Sequence, residues 1–145
     1  MSAKTKIAIE RTKQLRSIID EYFAALRQKD FSAIPYDDNA TLRAPLAPGG
    51  VNQPLSGKEA LHAQWWIPLE PALEGVEITI LDYYFNESLT AVCAEAVITL
   101  NVVSPPAVLR VADRFTINTQ GKIIEQENHF DPRDVTNPGW QNSSI

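Results

Sequence analysis

The stretch "VLRVADRFTI" (residues 108–117) decides the fold. Side chains on a β-strand alternate between two faces. One face of this run carries Leu109, Val111, Asp113, Phe115 and Ile117, and the other carries Val108, Arg110, Ala112, Arg114 and Thr116. The run therefore predicts a strand with one wet face and one dry face. An aspartate in the middle of the dry face has to be explained. Either it meets a buried arginine or a backbone amide, or it faces a ligand.

Three further runs of the same character surround it: "VEITILDYYF" (76–85), "LTAVCAEAVITLNVV" (89–103) and "KIIEQENHFD" (122–131). Turn-prone segments, "FNES", "SPP" and "NTQGK", separate the four. Connections this short predict antiparallel neighbours. On the last run, Asn128 shares a face with Ile124, Gln126 and Phe130, and two amides on an interior face are unusual. His129 has the opposite parity, beside Glu125, Glu127 and Asp131.

The first half of the chain reads differently. Leu15, Ile18, Ile19, Tyr22, Phe23 and Leu26 recur at three- and four-residue spacing, which predicts one amphipathic helix over 5–29. Asp30 or Ser32 caps a short second helix, and "ATLRAP" (40–45) reads as a short strand. "PLAPGGVNQPLSG" (45–57) is a loop whose prolines suit a semi-rigid lid. Ser56 and Glu59 have capping-box spacing for another helix, which Pro68 ends or kinks. Within it Trp65 and Trp66 point about 100° apart, so one packs in the core while the other lines a pocket mouth or an interface. Helices grouped ahead of an antiparallel sheet predict an α+β fold.

Composition narrows the function. The 145 residues suffice for one domain, with a core over about 13–131 and a C-terminal tail at 132–145. The net charge of -5 and the lack of a basic run argue against nucleic acid. No run of ~18 apolar residues suggests a membrane span, and the opening "MSAKTKIAIERTKQ" lacks the apolar core of a signal peptide. A cytoplasmic protein is expected. Cys93 stands alone, without a base or cation beside it in the pattern, so no disulfide and no reactive thiol are expected. Two histidines, His62 and His129, without ligand spacing give no reason to expect a metal.

"IIDEYFAALRQKDFSAI", "YDDNATLRAP", "PLSGKEAL" and "ADRFTINTQGKIIEQENHF", in that order, resemble the nuclear transport factor 2-like superfamily. That superfamily includes ketosteroid isomerase, scytalone dehydratase, limonene epoxide hydrolase and the SnoaL-like polyketide cyclases. The resemblance implies a strongly curved sheet packed against N-terminal helices as a cone around an apolar pocket. It implies that Tyr22 and Asp113 are the catalytic pair, a tyrosine and a protonated acid that hold one ligand oxygen. A neutral carboxylic acid in an apolar site is the known device of ketosteroid isomerase. Asn128, Gln126, Phe115, Phe130, Trp65 and Ala44 then form the substrate-binding set. Ala44 stands where the isomerase carries its general base, and Ala96, Ile98 and Asn128 replace the epoxide hydrolase's acid–arginine–acid set. No cofactor is implied.

The resulting expectation is a pocket for a small, mostly apolar molecule with a carbonyl or enol-like oxygen. As an enzyme this would be a cofactor-free isomerase, dehydratase or cyclase. The alternatives are a non-catalytic binder or a dimeric protein-interaction module. Arg110 and Arg114 can meet Glu95, Glu125 and Glu127 on the neighbouring strands, and the resemblance implies a homodimer through this outer sheet face, with a polar, salt-bridged interface. Arg43 is expected to pair with Asp37 or Asp38 at the surface.

Overall fold

The computed structural model describes residues 2–137. Helix α1 (Ala3–Gln28) is capped by Ser2, whose hydroxyl accepts from the Thr5 amide. It ends at Lys29, which takes the left-handed conformation (φ 54°) and caps the Ala25 and Leu26 carbonyls. The buried stripe of α1 is Leu15, Ile18, Ile19, Tyr22, Phe23, Ala25 and Leu26, so the three- and four-residue spacing marks a packing face. Asp30 caps a single 3-10 turn, Phe31–Ala33, by accepting from the Ser32 amide.

Six strands follow: β1 (Tyr36–Arg43), β2 (Leu55–Ser56), β3 (Glu77–Phe85), β4 (Ala91–Leu100), β5 (Ala107–Ile117) and β6 (Ile123–His129). They form one curved, open sheet in the order β2-β1-β6-β5-β4-β3. The β3–β6 meander is antiparallel throughout. The α+β class of the sequence reading holds, with one correction. β1 joins β6 in parallel, so the sheet is mixed. The long path from β1 to β6 makes that pairing, and nothing local in the sequence encodes it.

Between β2 and β3 runs one helical stretch: α2 (Lys58–Leu61), a π turn (His62–Trp66), α3 (Ile67–Leu69) and a 3-10 turn (Glu70–Leu73). Pro68 does not end it; it stands in α3, directly after the π turn. The widened turn just before it relaxes the carbonyls that its ring would otherwise strike. Ser56 does not cap this stretch. It pairs with Thr41 as part of β2, and Gly57 (φ 95°) makes the entry. A last short helix, α4 (Arg133–Thr136), follows β6. Asp134 is buried and Val135 packs on the core, so packing continues past residue 131; the rest of the 132–145 tail, beyond 137, lies outside the described residues.

The alternation on β5 is as the sequence predicts. Ala107, Leu109, Val111, Asp113, Phe115 and Ile117 are buried, and the arginines face out. On β6 a register shift beside Ile123 moves the parity by one, so Ile123, not Ile124, is the core residue. Gln126 and Asn128 still point inward.

On the outer face Glu127 gathers His129 Nε2 (2.6 Å), Arg114 (3.5 Å) and Arg43 (3.8 Å). Glu95 instead accepts from the Tyr84 hydroxyl (2.6 Å), and Glu125 accepts from Thr116 (3.1 Å). Arg43 reaches neither Asp37 nor Asp38. It donates to the Val51 carbonyl (2.7 Å) and so ties down the loop after β1. That loop needs Gly49 (φ 85°), because a Cβ there would lie 2.5 Å from the Gln53 carbonyl oxygen.

Candidate ligand-binding site

A cavity of about 240 Å³ lies between the sheet and the helices. Its deep polar groups are Tyr22 from α1, Asp113 from β5 and Asn128 from β6, and around them stand Leu26, Ile98, Leu109, Val111 and other apolar side chains. Leu46, Gln64 and Pro68 line it and are exposed, so the mouth opens between the loop after β1 and the helical stretch. Trp65 lines the cavity, while Trp66 is turned into the core against Phe31. His62 also meets the Phe31 ring but is exposed and takes no part in the cavity.

Strand register builds the polar end. Asp113 lies directly opposite Ala94 on β4 and Asn128 on β6. The small alanine leaves room beside the carboxyl. Tyr22 arrives from α1, its ring held edge-on by Phe23 (5.0 Å) and Phe115 (4.9 Å). Such pairs contribute about 0.5–1.5 kcal/mol beyond area burial. Gln126 Nε2 donates to the Tyr22 hydroxyl oxygen (3.1 Å) and to Asn128 Oδ1 (3.0 Å). The Tyr36 hydroxyl donates to Gln126 Oε1 (2.5 Å).

Asp113 is 3% exposed, and its Oδ1 has no hydrogen-bond partner among the described residues. No arginine reaches it, since Arg110 and Arg114 face away. Burial alone pushes its pKa up from 3.8 to about 8, so near neutrality the group is a carboxylic acid and a hydrogen-bond donor. Burial, with Asp113 as the next cause, also raises Tyr22 well above the ordinary tyrosine value, which keeps its proton on. The two groups therefore bring two protons to one end of an apolar chamber.

Of the residues expected in the site, Tyr22, Asp113, Asn128, Phe130, Trp65 and Ala44 all line the cavity. Gln126 and Phe115 do not, which corrects the sequence reading. Both lie behind Tyr22 in contact with it, Gln126 through its amide and Phe115 through its ring. Asp37 accepts from the Asn39 amide and Asp38 is exposed, and neither lines the cavity. Asp113 is thus the one carboxyl group lining it among the described residues.

The sequence pattern does not single out Tyr36. The polar run Asp37-Asp38-Asn39 hides its place in β1, and only Ala40, Leu42 and Ala44 show the alternation. Cys93 faces outward beside Glu95, and burial first, then the nearby Asp113 and Glu95 charges, push its thiol up. Among the described residues no group of three or more His, Cys, Asp or Glu side chains is placed to hold a metal ion, and no helix is long and apolar enough to cross a membrane.

The family model of the SnoaL-like domain matches residues 19–126. No match was found among curated proteins. Among solved structures the chain is similar to the epoxide hydrolase/cyclase-like enzyme SalBIII, which acts in pyran ring formation in the polyether salinomycin. That match has 20% identity and a TM-score of 0.71, over 85% of this chain and 95% of the other. A steroid delta-isomerase from Pseudomonas aeruginosa matches at 17% identity and TM-score 0.59, over 82% of this chain and 80% of that one. The Rv0760c protein of Mycobacterium tuberculosis, in complex with estradiol-17beta-hemisuccinate, matches at 12% identity and TM-score 0.65, over 81% and 94%.

Proposed function

We propose that this chain, which belongs to the SnoaL-like domain family, uses its cavity to bind a small, mostly apolar molecule by a carbonyl- or enolate-like oxygen. Tyr22 and neutral Asp113 hold that oxygen, with the Asn128 amide beside them. The single observation that carries the reading is the Asp113 carboxyl itself. It is buried in an apolar chamber with an unpartnered oxygen and no cation near it. A protein gains nothing in stability from such a group, and a ligand oxygen is the partner it lacks.

The chemistry that suits this site is that of an acid. Asp113 has a proton to give near neutrality, as a cyclase or dehydratase step requires, but in that state it takes none. Ala44 cannot abstract a proton either, so the site favours binding or acid-assisted chemistry over carbanion isomerisation. The names of similar structures, a cyclase-like enzyme, a steroid isomerase and a steroid-ester complex, are in keeping with an apolar oxygenated ligand. An open cavity, not one filled by its own side chains, speaks against a pure protein-interaction module.

The outer sheet face supports a homodimer as a second element of the proposal. Tyr84 (51%) and Val108 (44%) are exposed on this face, which also carries the charged cluster around Glu127.

The test is a calorimetric titration with a naphthol, whose oxygen mimics an enolate, on wild type, Asp113→Leu and Tyr22→Phe. Binding weakened about tenfold or more by each change is expected for lost hydrogen bonds to a developing charge. Binding indifferent to both changes would leave Asp113 a structural residue.

A further inference from the structure

The hydrogen bonds behind the cavity all run one way. Tyr36 gives its proton to Gln126 Oε1, and Gln126 Nε2 gives its two protons to Tyr22 Oη and Asn128 Oδ1. Tyr36 is 3% exposed, lies outside the cavity lining and makes no other side-chain hydrogen bond among the described residues, so Gln126 is the one acceptor for its proton there.

Turning the Gln126 amide end for end would set its NH2 against the Tyr36 hydroxyl. The Tyr36 proton and one amide N–H would then be stranded in the core. A donor stranded in the core is left without the water it would otherwise have, so the direction is fixed. With its oxygen engaged by Gln126, Tyr22 has its proton left to offer; with Oδ1 engaged, Asn128 has its NH2.

We infer that Tyr36 and Gln126 are positioning residues that make the Tyr22–Asn128 side of the cavity donor-only, and that they thereby select a ligand with an acceptor-only oxygen, a ketone or enolate, over the corresponding alcohol. The inference rests on the reading of Tyr22 and Asp113 as the oxygen-holding pair. A ketone oxygen accepts from these donors and strands nothing. An alcohol oxygen accepts from the same donors, but its own proton then has only the second oxygen of the Asp113 acid to turn to, and one ligand oxygen cannot both accept that acid's proton and donate to its carbonyl in good geometry. Sites built on directed hydrogen bonds discriminate strongly because the wrong partner leaves a polar group unpaired.

The experiment compares acetylnaphthalene with naphthylethanol, one skeleton carrying a ketone or an alcohol, by calorimetry at about pH 6, where Asp113 keeps its proton. Wild type is expected to bind the ketone roughly tenfold more tightly than the alcohol. In Gln126→Leu, where Tyr22 and Asn128 are free to accept as well as donate, the ratio is expected to fall to about two or below. The double variant Tyr36→Phe/Gln126→Leu removes the proton that the single change strands, and the same fall is expected with better stability.

A merely structural role would weaken both ligands together and leave the ratio intact, which would overturn the inference. Equal binding of ketone and alcohol by wild type would overturn it as well. If a naphthol binds in a Tyr22- and Asp113-dependent manner while the ketone and alcohol are not distinguished, only this inference fails. If wild type binds none of the three probes, it falls together with the reading on which it rests.

Discussion

Asp113 and Asn128 stand directly opposite each other on β5 and β6, yet no side-chain hydrogen bond joins them. The Asn128 carbonyl is engaged by Gln126, and among the described residues no donor is brought up to the Asp113 carboxyl. A structural carboxylate on a buried strand would be met by such a donor or by a cation. Leaving this one unmet keeps it neutral and keeps its proton available to whatever enters the cavity.

A cost in stability at higher pH follows from that arrangement. The ordinary aspartate value is 3.8, and Asp113 in the folded chain stands at about 8. Between those two pH values the folded chain holds a proton that the unfolded chain has lost. Its contribution to stability therefore declines as pH rises, by at most about 1.4 kcal/mol per unit, and the decline ends above the folded pKa. Asp113→Asn removes this dependence. Urea denaturation is expected to show the variant gaining on wild type steadily from pH 5 to pH 8. A difference that stays constant over that range would mean that Asp113 ionises normally in the folded chain.

Tyr36→Phe deletes the donor to Gln126 Oε1 and leaves that buried oxygen unpaired. The expected loss is about 1–3 kcal/mol in the same denaturation assay. A change below about 0.5 kcal/mol, the level of an ordinary surface substitution, would show that the bond contributes little.

Ala44 lines the cavity and is 3% exposed. Ala44→Asp places a second carboxyl in a chamber where an oxygen-holding pair is proposed. Conversion of a β,γ-unsaturated ketone to its conjugated isomer is expected to rise above the wild-type level, read by ultraviolet absorbance. No rise, in a variant that still binds the naphthol, would show that the oxygen-holding groups and residue 44 do not face one substrate.

The proposed dimer depends on the outer face of the sheet. Arg114→Glu reverses one of the charges that meet Glu127, and like charges across neighbouring strands repel. Gel filtration at tens of micromolar is expected to give a dimer for wild type and a shift toward monomer for the variant. A wild-type monomer under those conditions would refute the dimer.

Much of the site is legible in the sequence because strand alternation is a local signal. The parity of "VLRVADRFTI" alone places Asp113 inside, and the same rule puts Gln126 and Asn128 on the inner face. What escapes such a reading is set by distant partners. Gln126 points inward as expected, but Tyr22 from α1 lies over it and takes its amide, so it supports the cavity without lining it. Ser56 has the letters of a helix cap, but its pairing with Thr41 makes it a strand residue. Ile123 and Ile124 exchange roles through a bulge that leaves no mark on the alternation. Tyr36 is hidden by the acidic run that follows it, and its importance emerges only through Gln126, ninety residues away in sequence.

The most direct test of a neutral, ligand-facing Asp113 is the affinity for acetylnaphthalene between pH 6 and pH 10, in wild type and Asp113→Asn. The ketone carries no proton of its own, so it needs the one on Asp113. Wild-type affinity is expected to be level up to about pH 8 and then to fall as the carboxyl ionises. Asp113→Asn, which keeps a donor but does not titrate, is expected to show no such fall. A wild-type affinity that ignores pH, or a fall that persists in Asp113→Asn, would contradict the account.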